Sequence, residues 1–416
     1  MEAPFGRRQV LGLSAAISLA ATARAGHARA QLSDLWDVDR DTVNLDAAYY
    51  GAMPKAVQAA YFANLSWVNQ NNSAFLRRAT KDRSLDDSLT RSRAAAATLI
   101  NASPEEVALC NGGTEALYAL ITNYRDLKPG DTVIIADVDY DEMQYAMAFL
   151  QESRGARLVR FDLGDMTDPQ EILAAYQAVL DRTPRAKLLL LTHLSNRNGL
   201  VPPVKAIITA ARARGVDVIL DSAQAVAQLP VDVEDLGADF VGFSLHKWLA
   251  APLGTGGIYI RKDRQASIAP YMGNGLLPAA DVRSRILTGT INYAAHLTIP
   301  DALAFHESIG AQAKLARLRE LHEYWIDRVR DMPALSIVGP SGEQAYGAIG
   351  AFRPRGLDGI DGARRLQARM LERHGVLVVA KAGLASGPVL RVTPALFNTT
   401  ADLDRLVSAV RAELAA

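Results

Sequence analysis

DVILDSAQAVAQLPVDVEDLGADFVGFSLHKWL, residues 217–249, holds two apolar runs, DVILD and DFVGFS, each ending on a group that water holds strongly. Asp221 closes the first run, and His246 and Lys247 follow the second after Leu245. Carboxylates and ammonium groups are rarely buried unless paired or neutralised. Lys247 therefore has two readings. It either caps a strand and points into solvent, or is desolvated so that a neutral amine can form a Schiff base with a carbonyl. The 26 positions from Asp221 to Lys247 suit two neighbouring strands and their connection.

Working outward, the same pattern repeats. TVIIAD (132–137), RLVRFDL (157–163), KLLLLTHLS (187–195) and GGIYIRK (256–262) read as strands. TEALYALITNY, DEMQYAMAFLQES, DPQEILAAYQAVLD and PVKAIITAARARG between them read as helices. Near-continuous apolar strands alternating with amphipathic helices predict an α/β fold, a mostly parallel sheet covered on both faces. Ligands in such sheets bind beyond the carboxyl ends of the strands. The polar residues out of place lie there: Asn111, Asp139–Tyr140, His193–Asn196, Asp221–Gln224 and His246–Lys247. A long helical pattern from Ile299 ends at Pro333, and short strands mixed with two helices follow, predicting a smaller α+β C-terminal domain.

At 416 residues, 49% hydrophobic and 22% charged, the chain can bury a large core. Lys+Arg and Asp+Glu both number 45, a balance that provides no general attraction to nucleic acid or anionic lipid. The single cysteine, Cys110, cannot form an intrachain disulfide, and no Cys/His spacing resembles a metal site. In the first thirty residues Arg7 and Arg8 precede an uncharged run from Gln9 to Ala23, and Ala28-Arg29-Ala30 resembles a cleavage site. The run is shorter than the roughly 20 residues of a membrane span, which predicts no stable membrane insertion. The expectation is a twin-arginine leader over 1–30, cleaved near Ala30, that sends a folded protein to the periplasm. An N-terminal arm (31–60), a large domain (61–298) and a linking helix with the small domain (299–416) follow.

A Schiff-base cofactor such as pyridoxal 5′-phosphate needs a phosphate cradle, an acid at the ring nitrogen, a stacking group, a donor to the phenolic oxygen and a lysine. Asn111-Gly112-Gly113-Thr114-Glu115-Ala116, at a strand-to-helix junction, can cradle phosphate, although Thr114 equally suits a helix cap. Asp221 can pair with a pyridinium, or cap the following segment. Tyr140 can stack on the ring or sit in a loop. Asn196 and Gln224 can reach the phenolic oxygen, and Ser244 and His246 flank the lysine.

TEALYAL, THLSNRNGLVPPV, DSAQAVAQLPVDVEDLGADFVGFSLHKWL and RVTPALFNT resemble, in order and spacing, the class V aminotransferase family of fold-type I pyridoxal-phosphate enzymes. That family includes cysteine desulfurases, isopenicillin N epimerase-like proteins and kynureninase. The resemblance implies Lys247 as the Schiff-base residue, Asp221 at the ring nitrogen, Tyr140 as stacking group, and Asn196 and Gln224 near the phenolic oxygen. Gly113, Thr114, Ser244 and His246 would hold the phosphate, and Thr290 would reach the phosphate of a partner in a homodimer. Arg391 matches the arginine that grips the substrate α-carboxylate, for which a planar fork is suited. NLDAAYYGAMP (44–54) resembles a segment folded over the site, which makes Tyr49 and Tyr50 candidates for substrate contact. Desulfurases carry a catalytic Cys shortly before this arginine, whereas here the stretch reads KAGLASGPVLR. The expectation is an exported enzyme acting on the α-amino group of an amino acid or peptide-like metabolite. Periplasmic siderophore tailoring is the leading setting, an isopenicillin N epimerase-like or lyase reaction is the alternative, and desulfuration is disfavoured.

Overall fold

A computed structural model describes residues 32–340 and 346–414; the expected leader lies outside them. Seven strands form the central sheet: β1 (Val107–Cys110), β2 (Thr132–Ala136), β3 (Arg157–Phe161), β4 (Ala186–Thr192), β5 (Asp217–Asp221), β6 (Phe240–Ser244) and β7 (Gly256–Ile260). Their order is β1-β7-β6-β5-β4-β2-β3. Neighbours from β6 to β3 run parallel, while β7 is antiparallel to both β6 and β1. The short connection from β6 to β7 explains the exception, because a parallel return needs a crossover of a dozen residues or more.

Side chains alternate between two apolar layers. Ile134, Leu189 and Leu220 join one cluster, and Val133, Leu190 and Ile219 join another on the opposite face. Burial on both faces is what produces the unbroken apolar runs in the sequence. Each strand stops where its apolar run meets a polar group, so β4 ends at Thr192 rather than at Ser195.

The long helical pattern divides into α3 (Ile299–Ile309) and α4 (Ala311–Val329), with α1 (Gly113–Thr122) and α2 (Asp141–Arg154) lying earlier in the chain. Gly310, at φ 84°, makes the break, a conformation that glycine adopts freely. The small domain carries β8 (Leu335–Ile337), β9 (Gly350–Pro354), β10 (Val379–Lys381) and β11 (Val389–Val392), antiparallel in the order β10-β11-β9-β8. A third apolar cluster around Trp325, Phe352 and Leu390 holds that sheet against its helices. The N-terminal arm joins this domain through Val43–Asn44, which pairs in parallel with Val376–Leu377. Among the described residues no helix is long and apolar enough to cross a membrane.

Candidate active site

The carboxyl ends of β2, β4, β5 and β6 open into a cavity of about 300 Å³, closed on the far side by the arm and by β10 and β11. Ten of the residues expected from the sequence line it: Tyr49, Tyr50, Thr114, Tyr140, Asn196, Asp221, Gln224, His246, Lys247 and Arg391.

Asp221 is 7% exposed and accepts one bond at Oδ1, from the Ala223 N–H at 2.9 Å. Its Oδ2 has no donor among the described residues. Burial raises its pKa, against the Ala223 N–H and the charge of Lys247. Lys247 shows the mirror effect: burial lowers its pKa to about 8, with Asp221 opposing and Arg391 reinforcing. An apolar wall thus makes a neutral amine accessible near neutral pH.

Local structure fixes this lysine's backbone. The Gly51 N–H donates to the His246 carbonyl at 2.9 Å, and a Cβ at Gly51 would run into the Lys247 carbonyl. From behind, the buried ammonium of Lys314 donates to the Trp248 carbonyl. Beside it, Gln224 Nε2 donates to the Ala48 carbonyl at 2.9 Å and Gln224 Oε1 accepts from Trp248 Nε1 at 2.9 Å. Gln224 is therefore already tied into the frame, with one amide proton left to offer.

Gly113 and Ser244 lie beneath the cavity rather than among the residues that line it. The Gly113 N–H donates to Ser244 Oγ at 3.1 Å, and a Cβ at Gly113 would stand 2.9 Å from that oxygen. The hydroxyl thus orients the first turn of α1, where Thr114 is exposed to the cavity. His246 Nδ1 donates to the Thr255 carbonyl at 2.8 Å, which fixes the tautomer and leaves Nε2 as the free ring nitrogen. His193 braces the end of β5 instead, through Nδ1 and Ser222 Oγ at 2.9 Å, and burial lowers its pKa to about 4. Asp139 folds back on the Ala136 N–H (2.7 Å) and Thr192 Oγ1 (2.7 Å), a turn that delivers half-buried Tyr140 to the cavity at the start of α2.

Arg391, 3% exposed, donates from Nη1 to the Asn196 carbonyl at 2.9 Å and from Nη2 to Asp46. Its Nε is buried and has no hydrogen-bond partner among the described residues. Thr290 is exposed and does not line this cavity; its chain neighbours Gly289 and Ile291 line a separate recess. Two participants were absent from the sequence reading. Asp46 is 345 positions from Arg391, so no local pattern pairs them. Lys381 lines the cavity, and its signal was present: it ends the apolar run VLVVA, as Lys247 follows DFVGFSL.

The class-V aminotransferase model matches residues 45–406. An isopenicillin N epimerase of Streptomyces clavuligerus is 28% identical over 393 residues, 90% of this chain and 96% of that protein. A cysteine desulfurase of Pectobacterium atrosepticum is 28% identical over 338 residues, 76% of this chain and 79% of the relative. Among solved structures, the cysteine desulfurase CsdA of Escherichia coli superposes with a TM-score of 0.77 at 23% identity, covering 93% of this chain and 98% of that one. The cystine C–S lyase C-DES, in complex with cysteine persulfide, superposes with a TM-score of 0.76 at 19% identity, covering 89% and 97%. At these identities the structural likeness is one of fold.

Proposed function

The chain belongs to the class V aminotransferase family, a fold-type I enzyme family whose cofactor is pyridoxal 5′-phosphate, and from that premise we propose that it acts at the α-carbon of an amino acid or peptide-like metabolite. The observation that carries this reading is one cavity holding Lys247, Asp221 and Arg391 on three of its walls.

The residues fit the cofactor. Asp221 lines the cavity and accepts a bond at Oδ1 alone, which leaves Oδ2 to take a protonated ring nitrogen. Lys247 would hold the aldehyde carbon, and Tyr140 would stack on the ring. Asn196 and the remaining amide proton of Gln224 would serve the phenolic oxygen. Thr114 and the first turn of α1, oriented by Ser244, would take the phosphate. His246 would contribute once protonated at Nε2, which a phosphate dianion favours.

When bound, the cofactor supplies an electron sink for the pair left when a bond to the α-carbon breaks. The chain's own residues do the rest. Arg391 orients the substrate carboxylate, and Asn196 and Asp46 hold the guanidinium in place. Lys247, neutral above about pH 8, takes or returns the α-proton. Tyr140, whose pKa burial raises to about 12, stays protonated as a neutral wall.

Among branches, epimerisation is supported by near-full-length similarity to isopenicillin N epimerase, and transamination shares its first proton transfer. Desulfuration ranks behind because the single thiol, Cys110, is buried at the end of β1 and burial raises its pKa. The proposal extends to setting: export through the leader over 1–30, a periplasmic homodimer in which exposed Thr290 reaches the partner's phosphate, and tailoring of a peptide siderophore.

The test is the visible spectrum of purified protein supplied with cofactor, before and after borohydride, beside Lys247→Ala. A band that borohydride bleaches in the wild type and that Lys247→Ala lacks is expected; its absence from the wild type overturns the reading. Fractionation of cells carrying Arg7→Lys/Arg8→Lys tests export, which predicts retention in the cytoplasm.

A further inference from the structure

Antiparallel pairing of β10 and β11 sets Val379 opposite Arg391 and Lys381 opposite Val389. Side chains alternate along a strand, so Lys381 and Arg391 project from the same face as diagonal neighbours, within reach of long side chains. Both line the cavity.

The charges around Lys381 come from four elements: Arg391 on β11, Asp46 on the arm, Arg197 after β4, and Asp141 at the start of α2. These four pair among themselves. Arg391 Nη2 donates to Asp46, and Arg197 Nη2 donates to Asp141 Oδ1 at 2.8 Å. Arg197 is 1% exposed and donates further to the Asp139 and Ala382 carbonyls, so it has no freedom to turn toward a ligand. Lys247 lies in the field of Asp221 and Glu142 without an ion pair to either among the described residues. Lys381 Nζ has no hydrogen-bond or ion-pair partner among the described residues. Lys381 is thus half-buried beside a guanidinium, with the nearest acids, Asp46 and Asp141, each already paired to an arginine.

We propose that Lys381 supplies the positive charge that holds the substrate's carboxylate, while Arg391, already balanced by Asp46, sets the carboxylate's orientation. The inference rests on the reading of the cavity as an amino-acid site. It assigns specificity for free carboxylates over amides or esters to Lys381, since a neutral group there would leave the ammonium uncompensated. Burial and the Arg391 guanidinium lower the Lys381 pKa to about 8, so the charge is present at neutral pH and is lost in mildly alkaline solution. Carboxylate affinity therefore falls as pH rises through about 8.

The experiment uses cofactor-loaded protein and three probes. L-Alanine and L-alaninamide are titrated by the spectral change of the bound cofactor, and propionate, which has no amine, is titrated by calorimetry. In the wild type, alanine should bind about tenfold or more tighter than the amide, the size of a charge-assisted bond. Lys381→Met should erase that preference and propionate binding without weakening alaninamide. Lys381→Arg should keep the preference and abolish its decline above pH 8. Asp46→Asn added to Lys381→Met should restore carboxylate binding, because the guanidinium's charge is then free. A wild type without preference overturns the proposal. So does Lys381→Met weakening both alanine probes alike, or a double variant no tighter than Lys381→Met. A wild type with no cofactor band would instead sink the reading of the site itself.

Discussion

Lys247 and Lys381 line the same cavity, one from the large domain and one from the small. Each follows a short apolar run, and burial lowers the pKa of each to about 8. Their neighbours differ. Lys247 looks toward the carboxylate of Asp221, and the carbonyls on either side of it, of His246 and Trp248, are held by Gly51 and Lys314. Lys381 looks toward a guanidinium whose countercharge is already present, at the rim of a small antiparallel sheet. The same side chain in the same dielectric thus suits two tasks. One amine stands beside a buried acid that opposes the loss of its proton, and the other is a cation beside a guanidinium that favours that loss, awaiting an anion. Desolvation lowers the proton affinity of both, and the neighbouring charges pull the two in opposite directions.

The largest break in this comparison is Lys247→Ala, which should lower turnover by about 10³-fold or more and remove the borohydride-sensitive band, whereas Lys381→Met keeps the band. Asp221→Ala comes next. Removing the acid of the large-domain wall should cost about 10²–10⁴ in kcat with little change in cofactor stoichiometry, measured by steady-state kinetics and absorbance. The two pH dependences should oppose each other: cofactor uptake by apo-protein should rise about tenfold between pH 7 and 9 as Lys247 deprotonates, while alanine affinity falls over the same window. Stopped-flow absorbance follows the first. Gly51→Ala drives a methyl group into the Lys247 carbonyl and should lower stability by about 1–3 kcal/mol in thermal unfolding, with no equivalent clamp to disturb at Lys381. The smallest effect belongs to Cys110→Ala, within about twofold in kcat, since the thiol touches neither lysine; a larger loss would revive a thiol-based reaction.

Much of the large-domain wall was legible in advance. Asp221 and Lys247 stand out because a charge beyond an apolar run is costly unless something compensates it, and that cost is visible without coordinates. Lys381 bears the same mark after VLVVA, yet its meaning depends on Arg391 and Asp46, which strand pairing and the arm bring to it. Ser244 was legible as a polar residue beside the lysine, but not as a prop for the Gly113 N–H, since that contact joins β6 to α1. Gln224 was read as free for a ligand, and the fold commits most of it to Ala48 and Trp248. The break at Gly310 falls at a glycine visible in the sequence, inside a helical periodicity that both halves share.

By itself, the sequence determined the alternation of strand and helix, the burial of the sheet on both faces and the set of polar groups at the strand ends, because those follow from local periodicity and desolvation cost. Only the tertiary structure decided which charges meet. The pairing of Arg391 with Asp46, the unpaired state of Lys381 and the clamp on Lys247 are distances between remote segments, and electrostatic balance depends on distance rather than on order along the chain.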